Sequence, residues 1–199
     1  MTTFLPTPTN ELSPGIHRTK IDGLLYTAHR KFDDDRGFYA ELGLIPDIET
    51  HLKRPFKVAQ VNQAHSVANV IRGFHAEAWN KLVFVTTGQV FCALADIRPE
   101  SGTFGEVETF LLGHGNSALA GSLFISEGIA NSVCVVSEPV DYVYFVDQLY
   151  RDRDLKNDQA ISLFDPDLAV KWPLDRDKMI ISDRDLQAVT LRSLYPDKF

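Results

Sequence analysis

The chain has 199 residues, 44% apolar and 24% charged, which gives room for one domain with a sizeable core and matches the composition of a soluble globular protein. A formal net charge of −7 without any Lys/Arg block argues against a nucleic-acid partner, since a duplex is held by a basic surface. No apolar run approaches the ~18 residues needed to span a bilayer, and the opening MTTFLPTPTNELSPG has neither the charged nor the apolar region of a signal peptide. The expectation is a cytoplasmic protein without a membrane partner.

Residues 1–15, with three prolines and several Thr, Asn and Ser, read as an arm or loop. Residues 45–52 carry the one good early helix signal, with Pro46 suited to a first turn and acidic residues behind it. From about Val58 to Asp147 the chain reads as strands: KVAQVNQ, NVIRGF, KLVFVTTGQVFCALADI, EVETFLLG, GSLFIS, NSVCVVS and VDYVYFVDQ, with Gly, Asn, Ser or Pro between them. Thr86-Thr87-Gly88 divides the longest of these runs as a tight hairpin would. Amphipathic helices of the length that parallel βαβ units require are missing between the strands, so the pattern predicts an all-β antiparallel sandwich or barrel such as a jelly roll. After Tyr150 the chain turns charged and mixed, with one further apolar stretch at 161–163, and forms a C-terminal extension over residues 151–199. Cys92 and Cys134 sit in apolar runs and read as small hydrophobes, not as a disulfide or metal pair.

Four clusters hold groups capable of chemistry. In NVIRGFHAE at 69–77, strict alternation places Arg72, Phe74 and Ala76 on one strand face, with Gly73 and His75 on the other. Taken alone, His75 reads as a half-buried residue with a structural hydrogen bond. DDDRGFYAE at 33–41, with Arg36 and Glu41, reads alone as a solvated turn. Tyr142 and Tyr144 share a strand face, as core or rim aromatics with satisfied hydroxyls. ISDRD at 181–185 could be a charged loop.

Their order and wording nevertheless resemble one family. FDDDRGFYAE, QVNQAHS, NVIRGFHAE, KLVFVTTGQVFCALADIRPESGTFG, FISEGIANSV, YFVDQLY, FDPDLAVKWP and ISDRD follow one another with the spacing of the dTDP-4-dehydrorhamnose 3,5-epimerases. The resemblance implies a cupin-type jelly-roll double-sheet barrel with short flanking helices, a homodimer, and an isomerase without a cofactor or metal. It implies epimerisation at C3 and C5 of a dTDP-4-keto-6-deoxy sugar in rhamnose-type deoxysugar synthesis. By position His75 is then the general base, Asp185 its orienting carboxylate and Tyr144 the proton donor on the opposite face. Gln60, Asn62, Arg72 and Lys81 line the substrate pocket, Arg36 and Glu41 belong to a diphosphate site drawn from both subunits, and Tyr150 stacks on thymine. Arg184, beside Asp185, joins the substrate-binding set.

The chemistery of such a set is coherent. A ketone lets the carbanion formed by loss of an α proton delocalise as an enolate, neutral His is a base suited to pH 7, and a carboxylate on its other nitrogen fixes the tautomer. A cation such as Lys81 can stabilise the enolate oxygen. Three positions depart from the family pattern: Asn131 stands where a His is common, Ala64 where a Ser is common, and Phe145 where many members have Lys. Asn131 can hydrogen-bond a sugar oxygen but cannot titrate, so it reads as a substrate contact. Inversion at C3 alone, a related ketosugar reaction, and a binding-only module are the alternatives.

Overall fold

The computed structural model describes residues 3–115, 117–135, 140–152 and 158–199. In chain order its strands are β1 (Glu11–Ser13), β2 (Ile16–Arg18), β3 (Leu24–Ala28), β4 (Arg30–Asp34), β5 (Gly37–Glu41), β6 (Gln60–Ser66), β7 (Ile71–Ala76), β8 (Lys81–Thr87), β9 (Gln89–Asp96), β10 (Val107–Gly113), β11 (Gly121–Ile125), β12 (Ile129–Val135), β13 (Val140–Val146) and β14 (Gln159–Ala160). Helices are short: α1 (Ile45–Leu52), α2 (Asp183–Leu186) and α3 (Leu191–Leu194). The strands form a seven-stranded sheet, ordered β1-β2-β3-β11-β8-β13-β6, facing a five-stranded sheet, ordered β10-β9-β12-β7-β14. This is the all-β double-sheet jelly roll, and β4 and β5 form a separate hairpin. The last residues of the NSVCVVS run, 136 and 137, lie outside the described residues.

Three apolar layers hold the sheets. Between them, Val83, Val85, Val90, Leu94, Phe110, Leu123, Ile125 and Ile129 form the inner core. On the outer face of the larger sheet, Ile48 of α1 and Phe56 cover Leu25, Leu82 and Phe124. Pro46 lies in the first turn of α1, as the sequence predicts. On the outer face of the smaller sheet, the C-terminal segment lays Ile161, Leu163, Leu168 and Leu191 over Ile71, Phe74, Ala93 and Ala95. A fully buried side chain of this kind contributes about 1.5–3 kcal/mol, so the tail is fastened by a core of its own.

Three expectations are corrected. Thr86-Thr87-Gly88 is not a hairpin: β8 pairs with β11 and β13, while β9 pairs with β10 and β12, so the glycine turns the chain from one sheet into the other. An apolar run buried on both sides of such a corner has the same spelling as a hairpin. Within residues 1–15, Glu11–Ser13 pairs with β2 and Phe4 is buried in the inner core, so part of the expected arm is sheet and core. The third concerns β7. Its register with β12 runs Asn131 against His75 but Val133 against Arg72, a bulge that sets one extra β7 residue against β12. Ile71, Phe74 and Ala76 therefore face the outer layer, while Arg72 and His75, three apart, both face the interior.

Candidate active site

One end of the space between the sheets stays open as a cavity of about 190 Å³. Its polar lining comes from Ser66 of β6, Arg72 and His75 of β7, Glu77 just beyond it, Lys81 of β8, Asn131 of β12, and Tyr142 and Tyr144 of β13. Ala64, Val90, Val133, Val135 and Val140 make the apolar part of the wall. A polar cluster on such walls is desolvated, and its electrostatic interactions are correspondingly strong.

His75 Nε2 lies 2.7 Å from Asp185 Oδ1. Two local features create that contact. Gly73 brings β7 against β12 so closely that a Cβ there would sit 2.6 Å from Ser132 Cβ and 2.7 Å from Asn131 O, so only glycine fits. The tail then runs beside the start of β7, Ile180 accepting from Ile71 N at 3.1 Å and donating to Asn69 O at 2.8 Å. Ser182 caps α2 by accepting from Asp185 N at 3.2 Å. Asp185, 5% exposed, also accepts from Gly73 N through Oδ2 at 3.3 Å. Burial pushes the Asp185 carboxyl upward, but the His75 hydrogen bond and charge, Gly73 N–H and Ser182 outweigh it and hold the pKa below the ordinary value. A carboxylate only accepts, so Nε2 carries the imidazole proton and Nδ1 is left as the basic nitrogen.

Lys81 Nζ forms an ion pair with Glu77 Oε2, and Lys81 is only 4% exposed. Arg72 Nε donates to Ser66 Oγ at 3.2 Å. Tyr144 is the cross-strand neighbour of Asn62, and its ring centroid lies 6.1 Å from that of Tyr142. Gln60 Nε2 donates to Asn62 Oδ1 at 2.6 Å and Gln60 Oε1 accepts from Tyr150 N at 2.9 Å, so these three gather at the far end of β6. Tyr150 is exposed, 6.3 Å from the Trp79 ring. Arg184 and Asp185 line a second recess of about 400 Å³, which shares Arg72 and His75 with the cavity.

The sequence-predicted set thus divides into parts. His75, Asp185, Tyr144, Arg72, Lys81 and Asn131 converge. Gln60, Asn62, Tyr150 and Arg184 flank them. Arg36 and Glu41 do not join the cavity of their own chain: they sit on the β4–β5 hairpin, where Arg36 pairs with Asp34 and Glu41 lies 4.0 Å from Arg30. The sequence reading missed Ser66, Glu77 and Tyr142 as site residues. Alternation placed Glu77 on the face of His75, and that signal was available. The DIRPESGTFG stretch is a brace outside the cavity, since buried Asp96 accepts from Arg98, Ser101 and Thr103. A larger hollow, about 570 Å³ among Arg18, Arg54 and Arg98, lacks the chemistry: its His51 bonds Ser13, and Arg98 is neutralised by Asp96.

An imidazole with its own carboxylate, a phenol and a buried ammonium around one cavity of a jelly roll make a site able to move protons, the equipment that an isomerase of the proton-transferring class requires. The sequence profile of the family described as dTDP-4-dehydrorhamnose 3,5-epimerase matches residues 18–193, and the chain belongs to that family as an epimerase. It is 34% identical over 183 residues to the dTDP-4-dehydrorhamnose 3,5-epimerase of Escherichia coli, covering 90% of this chain and 95% of that one. It is 27% identical over 175 residues to the dTDP-4-dehydrorhamnose 3-epimerase of Streptomyces niveus, covering 86% and 81%. The crystal structure of the Legionella pneumophila dTDP-6-deoxy-D-glucose-3,5-epimerase RmlC, in complex with dTDP-4-keto-L-rhamnose, superposes with a TM-score of 0.79 at 29% identity over 92% of this chain and 95% of that one. No helix among the described residues is long and apolar enough to cross a membrane.

Proposed function

We propose that the protein inverts C3 and C5 of a dTDP-4-keto-6-deoxyhexose in rhamnose-type deoxysugar synthesis, in the cytoplasm and as a homodimer without a cofactor. The observation that carries this reading is the 2.7 Å His75–Asp185 contact opening onto a cavity shared with Tyr144 and Lys81. His75 Nδ1 takes the proton from the carbon next to the C4 carbonyl. The C–H electron pair becomes the C=C bond of an enolate, whose oxygen Lys81 stabilises. Tyr144 O–H returns a proton to the opposite face, and solvent reprotonates the phenolate and deprotonates the imidazolium. The steps repeat at the second carbon. Asp185 keeps the imidazole in the productive tautomer and stabilises its cation.

Arg72 and Arg184 converge on the recess next to the base, where planar guanidinium forks suit a diphosphate. Arg36 and Glu41 lie away from the cavity of their own chain on a hairpin carrying exposed Phe32, Phe38 and Tyr39. Such a hairpin favours a dimer in which it reaches into the partner's site. A second reading, inversion of C3 alone, is favoured by Asn131 in the cavity wall, a residue that cannot move a proton.

Proton NMR of dTDP-4-keto-6-deoxyglucose in deuterated water tests both. Deuterium entering at C3 and C5, with Tyr144→Phe losing incorporation more at one carbon than the other, is the expected result. Deuterium at C3 alone selects the second reading, and no incorporation at either carbon refutes both.

A further inference from the structure

Two buried polar atoms on residues that line the cavity are left without a hydrogen-bond partner among the described residues: Tyr142 Oη and Asn131 Oδ1. Tyr142 is 7% exposed and its ring belongs to the inner core, so its hydroxyl is held in one place by packing. The Asn131 side chain acts on the Tyr142 hydroxyl as a hydrogen-bonding neighbour and counters part of the rise that burial imposes on its pKa, although neither Tyr142 Oη nor Asn131 Oδ1 has a partner of full hydrogen-bond geometry among the described residues. Buried polar groups are ordinarily satisfied, and an unsatisfied one needs an explanation. Here one is a donor and the other an acceptor, on the same cavity as the base. A sugar hydroxyl placed between them would accept from Tyr142 and donate to Asn131.

We propose that Tyr142 and Asn131 together hold the C2 hydroxyl of the substrate sugar, a clamp that rests on the reading of the cavity as a ketosugar site. The choice of C2 follows from the reaction. In a 4-keto-6-deoxyhexose the ring hydroxyls are on C2 and C3, and the C3 substituent swings as its carbon becomes planar and inverts. The C2 hydroxyl keeps its configuration throughout and can be held by a fixed pair. C2 is also bonded to C3, and Asn131 is the cross-strand neighbour of the base His75, so an anchor there sits beside the reacting carbon. Tyr142 serves as a donor and not as a second proton source: its phenol is pushed well above the ordinary value, first by burial and then by nearby Cys92, Glu77 and Tyr144.

Calorimetry with dTDP, dTDP-6-deoxyglucose and dTDP-2,6-dideoxyglucose tests the clamp in the wild-type protein and in Tyr142→Phe. The wild type should bind the 2-hydroxy sugar at least about tenfold more tightly than its 2-deoxy counterpart, in line with the modest net worth of two buried hydrogen bonds. Tyr142→Phe should lose most of that discrimination with its dTDP affinity unchanged, and Asn131→Ala should do the same by removing the acceptor. The Tm of Tyr142→Phe should hold, because the hydroxyl it loses has no partner of full hydrogen-bond geometry among the described residues. Full discrimination retained in both variants overturns the proposal, as does a fall in Tm with affinities intact, which would make the hydroxyl structural. Failure of the ketosugar reading shows separately, as sugar-nucleotide affinity without proton exchange in the wild type. No affinity for either sugar nucleotide overturns the clamp and that reading together.

Discussion

Asp185→Asn removes one negative charge from the site while leaving the side chain's shape. The carboxylate meets His75 Nε2 at 2.7 Å and Gly73 N at 3.3 Å, and both are donors. An amide has one oxygen and one NH₂ for those two partners. With NH₂ toward His75, the ring proton moves to Nδ1 and the base is blocked. With NH₂ toward Gly73, two donors face each other at a buried position. Either arrangement also withdraws the anion that stabilises the imidazolium. Charges about 4 Å apart at an effective dielectric near 20 interact by about 4 kcal/mol, and each ~1.4 kcal/mol is a tenfold change in rate. The expected result is a fall in kcat of about 10³-fold with KM within a fewfold, read as deuterium incorporation under saturating substrate. A loss below about tenfold would refute the role given to Asp185. The same variant has a stability signature. Because folding depresses the Asp185 pKa, its contribution is present above the ordinary carboxylate pKa and is lost as pH falls through the folded value. The difference in urea stability between wild type and Asp185→Asn should therefore shrink on acidification, and a gap that is constant from neutral pH to below pH 3 would contradict it.

Two other predictions test packing and assembly. Lys81→Met leaves Glu77 as an unpaired charge in a largely buried setting, and breaking such a pair costs about 3–5 kcal/mol. Thermal melts should show Tm lower by about 10 °C, with much of the loss recovered in Glu77→Gln/Lys81→Met; an unchanged Tm would mean that the ammonium and carboxylate do not depend on each other. Phe38→Asp places a charge on the exposed aromatic hairpin, 60% exposed at that residue in the single chain. Sedimentation should report a dimer for the wild type and a monomer for this variant, and a dimeric variant would remove the hairpin from the interface.

The jelly roll was legible because its strands are short, β-branched and aromatic, and because among the described residues no helix of useful length separates β6 from β13. Helix α1 was legible from Pro46 and the acidic residues behind it. Two features were hidden for physical reasons. The glycine between β8 and β9 has the spelling of a hairpin whether the following strand returns to the same sheet or crosses to the facing one, and only pairing partners distinguish these. The bulge in β7 is a property of the register with β12, so alternation put Arg72 on the wrong face although it put His75 on the right one. The site itself was only half legible from local pattern. His75 and Glu77 share a strand face by simple counting, but a separation of 110 positions from His75 to Asp185 carries no periodic signal of their meeting. Family resemblance supplied that pairing, while Tyr142, to which it assigned no role, became visible only through its unanswered hydroxyl.

The C-terminal segment has a bearing on when the protein becomes able to work. Every strand of the inner core precedes residue 147, and His75 is in place once β7 pairs with β12. Asp185 arrives later along the chain, on a segment that docks through its own apolar layer of Ile161, Leu163, Leu168 and Leu191. During synthesis the barrel can therefore close around a base that still lacks its carboxylate. The tail thus fastens the carboxylate to the base through its own packing on Phe74.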